Sequence, residues 1–257
     1  MYHCGVLTFS LQSGSNGNSI YVEANGAKLL FDAGITGACA EARMARRGRE
    51  IRDVNALIIS HDHVDHVRCA GVYHRKFAIP VYMSRWTHAA TWCNLGRIDD
   101  LHYFDSGDTL EFGDAKVHTT RTPHDAADGV VFVVECEGKR LGIFTDLGHP
   151  FAGLQRLLES CDAAYLECNY DPHMLAVGAY TEPLKARIRG NGGHLSNNEA
   201  AELVRRCGRK PKWIAMAHLS EENNHPELAL AAHRAAVGKE YPVFHASRYA
   251  CSELFTV

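Results

Sequence analysis

Three histidines and two aspartates occupy six consecutive positions of this chain, His61-Asp62-His63-Val64-Asp65-His66. They directly follow the apolar run 56–59, which has no polar alternation and therefore predicts a strand covered on both faces. Imidazole nitrogens and carboxylate oxygens are ligands for Zn, Mn or Fe. A polar surface loop is the alternative interpretation. The density of ligating residues immediately after a buried strand favours a metal site, with His61 and His63 directed one way and Asp65 and His66 another.

Three further ligand candidates lie at or just beyond the ends of other predicted strands. His124 lies in PHDAADG, Asp146 ends GIFTD, and His218 ends WIAMAH. A single strand-end histidine or aspartate is usually a hydrogen-bonded surface residue. Together with His61, His63, Asp65 and His66, however, these three complete a set of seven ligands, which is enough for two metals a few ångströms apart.

The elements that must position these side chains alternate between strand clusters and helices. Strands are predicted over residues 7–13, 19–24, 27–34, 55–60, 79–84, 109–122, 130–146 (a hairpin), 163–168 and 212–220, with two more closing the chain. Helices are predicted over 36–50, 67–77, 84–93, 151–161, 171–207 (broken at 190–193) and 226–238. Since no linker or low-complexity segment divides them, the prediction is one α/β domain spanning residues 1–257, with two sheets covered by helices.

Composition excludes several classes of protein. The formal charge of −3 is not that of a polycation, so nucleic-acid binding would have to come from a local patch. The N-terminal sequence does not resemble a signal peptide, and no segment approaches a membrane span. Nine scattered cysteines without a Cys-x-x-Cys pair predict reduced, mostly buried thiols in a cytoplasmic protein.

The order of these ligand segments resembles the metallo-β-lactamase superfamily. The resemblance implies an αββα sandwich of two mixed β-sheets flanked by helices, with two divalent ions (Zn, Mn or Fe) at one edge. It assigns His61, His63 and His124 to one metal, Asp65, His66 and His218 to the second, and Asp146 to a bridge. It also implies that a water between the metals loses a proton and attacks the substrate.

Asp32, which ends LLFD, matches a carboxylate that orients a ligand histidine in that family. The alternative is a turn residue before Gly34.

The segment GGHLSNNEA indicates which bond is cleaved. His194 before a capped helix resembles the additional histidine of the phosphodiesterase branch, which includes tRNase Z and RNase J and in which this residue helps to protonate the leaving oxygen. A histidine capping the helix is the alternative. Together with the metal ligands Asp65 and Asp146, His194 is predicted to be a catalytic residue.

Basic residues before this segment could contact a substrate phosphate. Lys185, Arg187 and Arg189 precede the turn 190–193, and the predicted phosphate contacts are Arg187, Ser196 and Asn197. A solvated basic helix end is the alternative.

The loop SGSNGNS could approach a substrate or form a plain hairpin turn. No role is assigned to Asn169, Asp171, Glu221, Asn223, Asn224 or His225.

The full series of segments, from GSNGNS to AHLSEENN, is similar to the YycJ/WalJ/VicX group of bacterial metallohydrolases. That similarity implies a 5′-to-3′ exonuclease, with DNA favoured over RNA as the substrate. Only 72 positions separate Asp146 from His218 and 22 separate His124 from Asp146, so a β-CASP insert of the RNase J kind is not expected.

Two alternatives remain open. One is a hydrolase of a cyclic phosphodiester, lactone or thioester, and the other is a metal-binding partner protein without turnover. Oligomeric state is left open.

Overall fold

The computed structural model describes residues 5–257, which form fourteen strands and nine α-helices. The strands are β1 Val6–Gln12, β2 Ser19–Ala24, β3 Ala27–Phe31, β4 Ala56–Ile58, β5 Val81–Ser84, β6 Leu101–Phe104, β7 Thr109–Phe112, β8 Ala115–Arg121, β9 Val130–Cys136, β10 Lys139–Phe144, β11 Ala163–Glu167, β12 Trp213–Ala217, β13 Val243–His245 and β14 Phe255–Thr256. The helices are α1 Gly37–Arg46, α2 Val64–Val67, α3 Ala70–Phe77, α4 Arg85–Ala90, α5 Leu154–Glu159, α6 Pro172–Val177, α7 Glu182–Arg189, α8 Asn197–Arg206 and α9 Pro226–Val237.

Each sheet has seven strands and is half antiparallel and half parallel. The first follows the order β14-β1-β2-β3-β4-β5-β6, and its strands β3 to β6 run parallel. The second follows the order β13-β12-β11-β10-β9-β8-β7, with β10 to β13 parallel. Parallel neighbours end at the same edge of a sheet, so each sheet directs the residues that follow several strands toward one edge.

Three apolar layers hold the sheets and helices together. The central layer lies between the sheets, where the rings of Phe31 and Phe132 are 5.0 Å apart. A second layer packs the first sheet against α1 and α3, and a third packs the other sheet against α5, α8 and α9. The predicted αββα sandwich of two mixed sheets flanked by helices is thus confirmed.

The central layer makes a testable contribution to stability. We expect Phe132→Ala to lower the free energy of unfolding by about 3–5 kcal/mol, because it opens a cavity where the two sheets meet. Urea denaturation would measure the change. Val177→Ala, at a side chain that is 70% exposed, is the control and should change stability by less than about 0.5 kcal/mol. A loss as small as the control's for Phe132→Ala would contradict this account of the core.

The structure corrects three sequence predictions of secondary structure. Strand β6 was not predicted, since its exposed residues His102 and Tyr103 give no apolar signal. The helix predicted from Val67 is interrupted before α3, because the Cys69 N–H donates to the Ala33 carbonyl rather than continuing α2. The helical run 171–207 is three helices, α6, α7 and α8, because the chain turns at residues 178–181 as well as after Arg189.

Two predictions from composition can be compared with the described residues. All eight cysteines among residues 5–257 are free thiols, four of them buried and four partly buried, while Cys4 lies outside the described residues. Within the same range, none of the helices combines the length and apolarity that crossing a bilayer requires. The prediction of a single domain without a β-CASP insert stays a prediction.

Candidate metal centre

The candidate ligands lie at the edge where the parallel strands of both sheets end. Residues 60–66 follow β4, His124 lies in the β8–β9 loop, and Asp146 and His218 follow β10 and β12. Asp32, Asp146 and His218 all have left-handed backbone conformations, with φ of 66°, 55° and 55°. Non-glycine residues adopt this conformation at a cost of about 1–3 kcal/mol, and such strain concentrates at functional sites. The fold therefore tolerates strain at the three strand ends that carry these carboxylates and this histidine.

The seven predicted ligands converge into two adjacent groups. Potential ligand atoms of His61, His63 and His124 lie within 4.8 Å of one another, as do those of Asp65, His66 and His218. Asp146 lies between the groups. Its Oδ2 is 3.1 Å from His66 Nε2, and its Oδ1 is 3.5 Å from both His124 Nε2 and His218 Nδ1. This arrangement places the Asp146 carboxylate between two groups of potential metal ligands.

Hydrogen bonds select which nitrogen of His66 and of His124 faces the centre. His66 Nδ1 lies 2.7 Å from Asp32 Oδ2, and His124 Nδ1 lies 2.8 Å from the Gly193 carbonyl. Both oxygens can only accept, so each Nδ1 carries the proton and each Nε2 keeps its lone pair for a metal. Asp32 is itself fixed, since it accepts from the Ser60 N–H and hydroxyl. Its geometry is that of a ligand-orienting carboxylate.

Two polar atoms at the centre show that the residues fit divalent ions. His61 Nε2 is buried and has no hydrogen-bond partner among the described residues, and Asp146 Oδ2 is buried with no well-aligned hydrogen bond beyond its 3.1 Å approach to His66 Nε2. Leaving a buried polar atom such as His61 Nε2 unsatisfied costs about 1–3 kcal/mol. A cation between the two groups would satisfy both atoms, and the nitrogen and oxygen donors suit Zn, Mn or Fe.

The charges of the cluster compensate one another. Burial alone would lower the pKa of His218, but Asp146, Asp65 and Glu167 raise it to about 10. Burial alone would raise the pKa of Asp146, but His218 and His66 hold it well below its ordinary value. The side chains therefore form internal ion pairs, and a metal that binds here at neutral pH must displace protons from histidine.

The loop SGSNGNS, between β1 and β2, supports the second group of ligands. The Asn18 Nδ2 atom lies 3.2 Å from Asp65 Oδ2 and 3.0 Å from His66 Nε2, and Asn18 N donates to the Asp65 carbonyl. Gly14 fixes the amide orientation, because its N–H donates to Asn18 Oδ1 and its carbonyl accepts from Nδ2. The Ser13 hydroxyl accepts from the His218 N–H. The loop is therefore a hairpin connection whose polar atoms orient Asp65, His66 and His218.

We expect Asn18→Ala to weaken the second metal site by about 10- to 100-fold, because loss of an outer hydrogen bond frees Asp65 to rotate. Competition with a chelator would measure the affinity of each site. Asn16→Ala is the matched control, since Asn16 lies in the same loop but donates to the Arg248 carbonyl. Equal affinities in the two variants would contradict a role for Asn18 in orienting Asp65.

His194 has a buried acidic partner that the sequence analysis missed. The Glu167 carboxylate lies at the end of β11, is fully buried, and approaches His194 Nδ1 to 2.6 Å through Oε1. Its other oxygen accepts from the Leu147 N–H. Burial alone would raise the pKa of Glu167, but His194 lowers it. Glu167 ends a buried strand just as Asp32 and Asp146 follow one, so strand-end position was the signal that could have found it.

The predicted phosphate contacts are distributed differently from the expectation. Arg187 lies at the rim, where its Nε is 2.5 Å from Asp125 Oδ2. The structure gives Ser196 and Asn197 contacts within the fold. Ser196 is buried and forms a capping box with Glu199, and Asn197 is fully buried and donates to Asn224. Their contact with a substrate phosphate stays a prediction.

Most residues left without a role contact the surrounding structure. Asn169 donates to the His218 carbonyl, Asp171 caps α6, and Asn224 donates to the Cys168 and Asn169 carbonyls. Glu221 pairs with Arg248. These contacts hold the segments that follow β11 and β12 in place.

Comparison with known proteins identifies the class to which this fold and centre belong. Residues 13–192 match the family model of the metallo-beta-lactamase superfamily, and the chain belongs to that superfamily. Among curated relatives, it is 34% identical over 249 residues to exodeoxyribonuclease WalJ of Streptococcus pneumoniae, covering 92% of this chain and 93% of the relative. It is 35% identical over 222 residues to exodeoxyribonuclease YycJ of Bacillus anthracis, covering 85% and 84%.

Solved structures confirm the fold over nearly the whole chain. The metallo-beta-lactamase fold protein YhfI of Bacillus subtilis has a TM-score of 0.74 at 13% identity, with 98% of this chain and 100% of that chain covered. The short form of human tRNase Z has a TM-score of 0.67 at 13% identity, with 96% and 98% covered. At these identities the likeness concerns the fold alone.

Proposed function

We propose that this protein is a metal-dependent nuclease that hydrolyses phosphodiester bonds of DNA and degrades a strand from its 5′ end. One observation of the structure carries the proposal, namely the Glu167–His194 pair beside the seven clustered ligands. The names of the WalJ and YycJ relatives, both exodeoxyribonucleases, support DNA as the substrate.

In this proposal His61, His63 and His124 would hold one divalent ion, Asp65, His66 and His218 would hold the second, and Asp146, which lies between the two groups, would serve both. When bound, the ions would supply a water that is deprotonated near neutral pH and would draw negative charge from the phosphate. The ligands themselves must stay fixed while this occurs. Asp32 fixes the His66 ring, the Gly193 carbonyl fixes the His124 ring, and Asn18 fixes the Asp65 carboxylate.

His194 is the proposed proton donor to the departing sugar oxygen. A sugar alkoxide is a poor leaving group, so cleavage needs a positioned acid. The Glu167 carboxylate accepts a hydrogen bond from the Nδ1–H of His194 and fixes the ring, so that Nε2 is the nitrogen left to face the substrate. The His194 side chain is 18% exposed, in contrast to the fully buried Glu167, so a substrate can reach the histidine and not its partner.

The identity of the ions and the location of the protein are part of the same proposal. Histidine and carboxylate ligation without cysteine suits Zn, Mn or Fe, with two ions per chain. Eight free thiols among the described residues suit a reducing compartment, and we propose the cytoplasm.

End-labelled nucleic acids would test the proposal directly. The purified protein would be stripped of metal, reloaded with Mn or Zn, and given single- and double-stranded DNA and RNA carrying either a 5′ phosphate or a 5′ hydroxyl. We expect metal-dependent digestion of DNA, with a product ladder that records removal from the 5′ end. Absence of digestion by protein shown to contain two metals would overturn the proposal. Hydrolysis of a cyclic or other small phosphodiester by the same sample would then identify the alternative substrate class.

A further inference from the structure

Two tryptophans are exposed on a short segment beside the metal centre. Trp86 is 68% exposed and Trp92 is 80% exposed, whereas the third tryptophan, Trp213, is only 7% exposed and packs in the core. Trp86 lies on α4, of which only Thr87 is buried. A helix that packs against the core buries an apolar face. Helix α4 instead exposes most of its surface, including a large aromatic ring, to solvent.

The topology places α4 at the same edge as the candidate ligands. Strands β4 and β5 are parallel neighbours, so residues 60–66 after β4 and α4 after β5 emerge side by side. Hydrogen bonds continue this connection. The Thr87 hydroxyl donates to the Asp128 carbonyl, and Ala127 N–H donates to Asp62, which lies between His61 and His63. Trp86 therefore lies on the element that neighbours the segment carrying His61 and His63.

The residues around Trp86 form a surface that could accept a flat aromatic ring and that carries little net charge. Trp86 lines a cavity of about 450 Å³ together with Arg121, Ala127, Asp128, Asp105 and Ser106. Beside it, the Arg85 guanidinium stacks 4.4 Å from the ring centre of Tyr103, which is 39% exposed. Two arginines are thus offset by two aspartates, and aromatic surface rather than charge is the main feature of the patch.

We propose that Arg85, Trp86, Trp92 and Tyr103, here called the α4 aromatic patch, form a stacking surface for unpaired nucleobases of a DNA strand that enters the metal centre. The inference rests on the proposed nuclease function and adds to it the place where the strand is held. Base stacking on aromatic rings is tolerant of sequence and acts together with positive charge along the phosphate backbone, which Arg85 and Arg121 would supply here. An anionic membrane, by contrast, is bound by a larger cluster of basic residues than this patch contains.

Binding measured without metal separates stacking from hydrolysis. The whole chain, kept in chelator, would be titrated with a fluorescein-labelled twelve-nucleotide oligo(dT), and its anisotropy and tryptophan emission would be recorded. Stacking contributes about 1–3 kcal/mol per base, so Trp86→Ala is expected to raise Kd by about 5- to 150-fold. Trp86→Phe should restore most of the affinity because it keeps an aromatic face. The same pair of substitutions at Trp92 is expected to behave in the same way.

Further measurements keep the inference separate from folding and from the nuclease proposal. Both tryptophans are exposed, so near-ultraviolet circular dichroism should show the core around Trp213 unchanged in every variant. Oligo(dT) should quench the emission of Trp86 and Trp92 in the wild type, and a blunt duplex should quench it far less because its bases are paired.

If alanine variants bind oligo(dT) as well as the wild type, the patch has no stacking role even where DNA is still digested. A tryptophan blue shift with anionic phospholipid vesicles, without quenching by oligo(dT), would assign the patch to a membrane instead. If wild-type protein neither binds nor digests DNA, the nuclease proposal fails along with the patch.

Discussion

Replacing Asp146 with asparagine is expected to reduce DNA digestion by at least about 10³-fold and to lower the metal content of the protein. The effect should exceed that of any single histidine, because the Asp146 carboxylate lies within 3.5 Å of both ligand groups and would contact both ions. The asparagine variant keeps the shape of the side chain and so reduces the risk of misfolding. Elemental analysis and digestion of end-labelled DNA would measure metal content and activity.

Asp62→Asn provides a matched control for Asp146→Asn. Asp62 belongs to the same dense segment as His61 and His63, yet its carboxylate accepts a hydrogen bond from the Ala127 N–H rather than facing the centre. An amide oxygen can accept the same bond, so this variant should retain two metals and most of the activity. A fully metallated and active Asp146→Asn variant would refute the bridging assignment, and loss of metal in both variants would show that the site depends on its loops more than on this carboxylate.

Replacing His194 with alanine is expected to slow DNA digestion by about 10²- to 10⁴-fold while two metals stay bound. The physical reason is the leaving group, because a sugar oxygen departs as a strongly basic alkoxide unless a proton is delivered to it. Bis-p-nitrophenyl phosphate releases a stable nitrophenolate and needs no such proton. Its hydrolysis should therefore fall by less than about 10-fold in the same variant. Comparing the two substrates on one metallated sample measures the role of His194 directly.

Glu167→Gln extends the test of His194. Glutamine can keep the hydrogen bond to the histidine ring through its side-chain oxygen but removes the carboxylate charge beside the ring. Activity on DNA should fall, but less than in His194→Ala, because the ring stays oriented while its charged partner is lost. An equal loss on both substrates in His194→Ala would contradict an acid role and would indicate that the histidine shapes the metal site instead. Wild-type activity on DNA in Glu167→Gln would show that the role of His194 does not depend on Glu167.

The sequence determined the identity and order of the seven candidate ligands. His61, His63, Asp65 and His66 are detectable because ligating residues are dense there and directly follow an apolar strand. Asp146 and His218 are detectable because buried strands end in them. These signals are local, since a strand of apolar residues and the polar residue that ends it are neighbours in the chain. The same local signals predicted two covered sheets, and hence the fold class.

Only the tertiary structure decided which other polar residues reach the centre. Glu167 meets His194 although 27 positions separate them, and Asn18 meets His66 across 48 positions, because parallel strands of both sheets end at one edge. Nothing in the composition of SGSNGNS separates a support for ligands from a plain turn. Conversely, Asn197 has the polarity of a phosphate contact but is fully buried against Asn224. Residue type and spacing determine what chemistry a side chain can do, whereas packing decides which atoms it meets, because contacts between distant segments depend on the whole arrangement of the sheets.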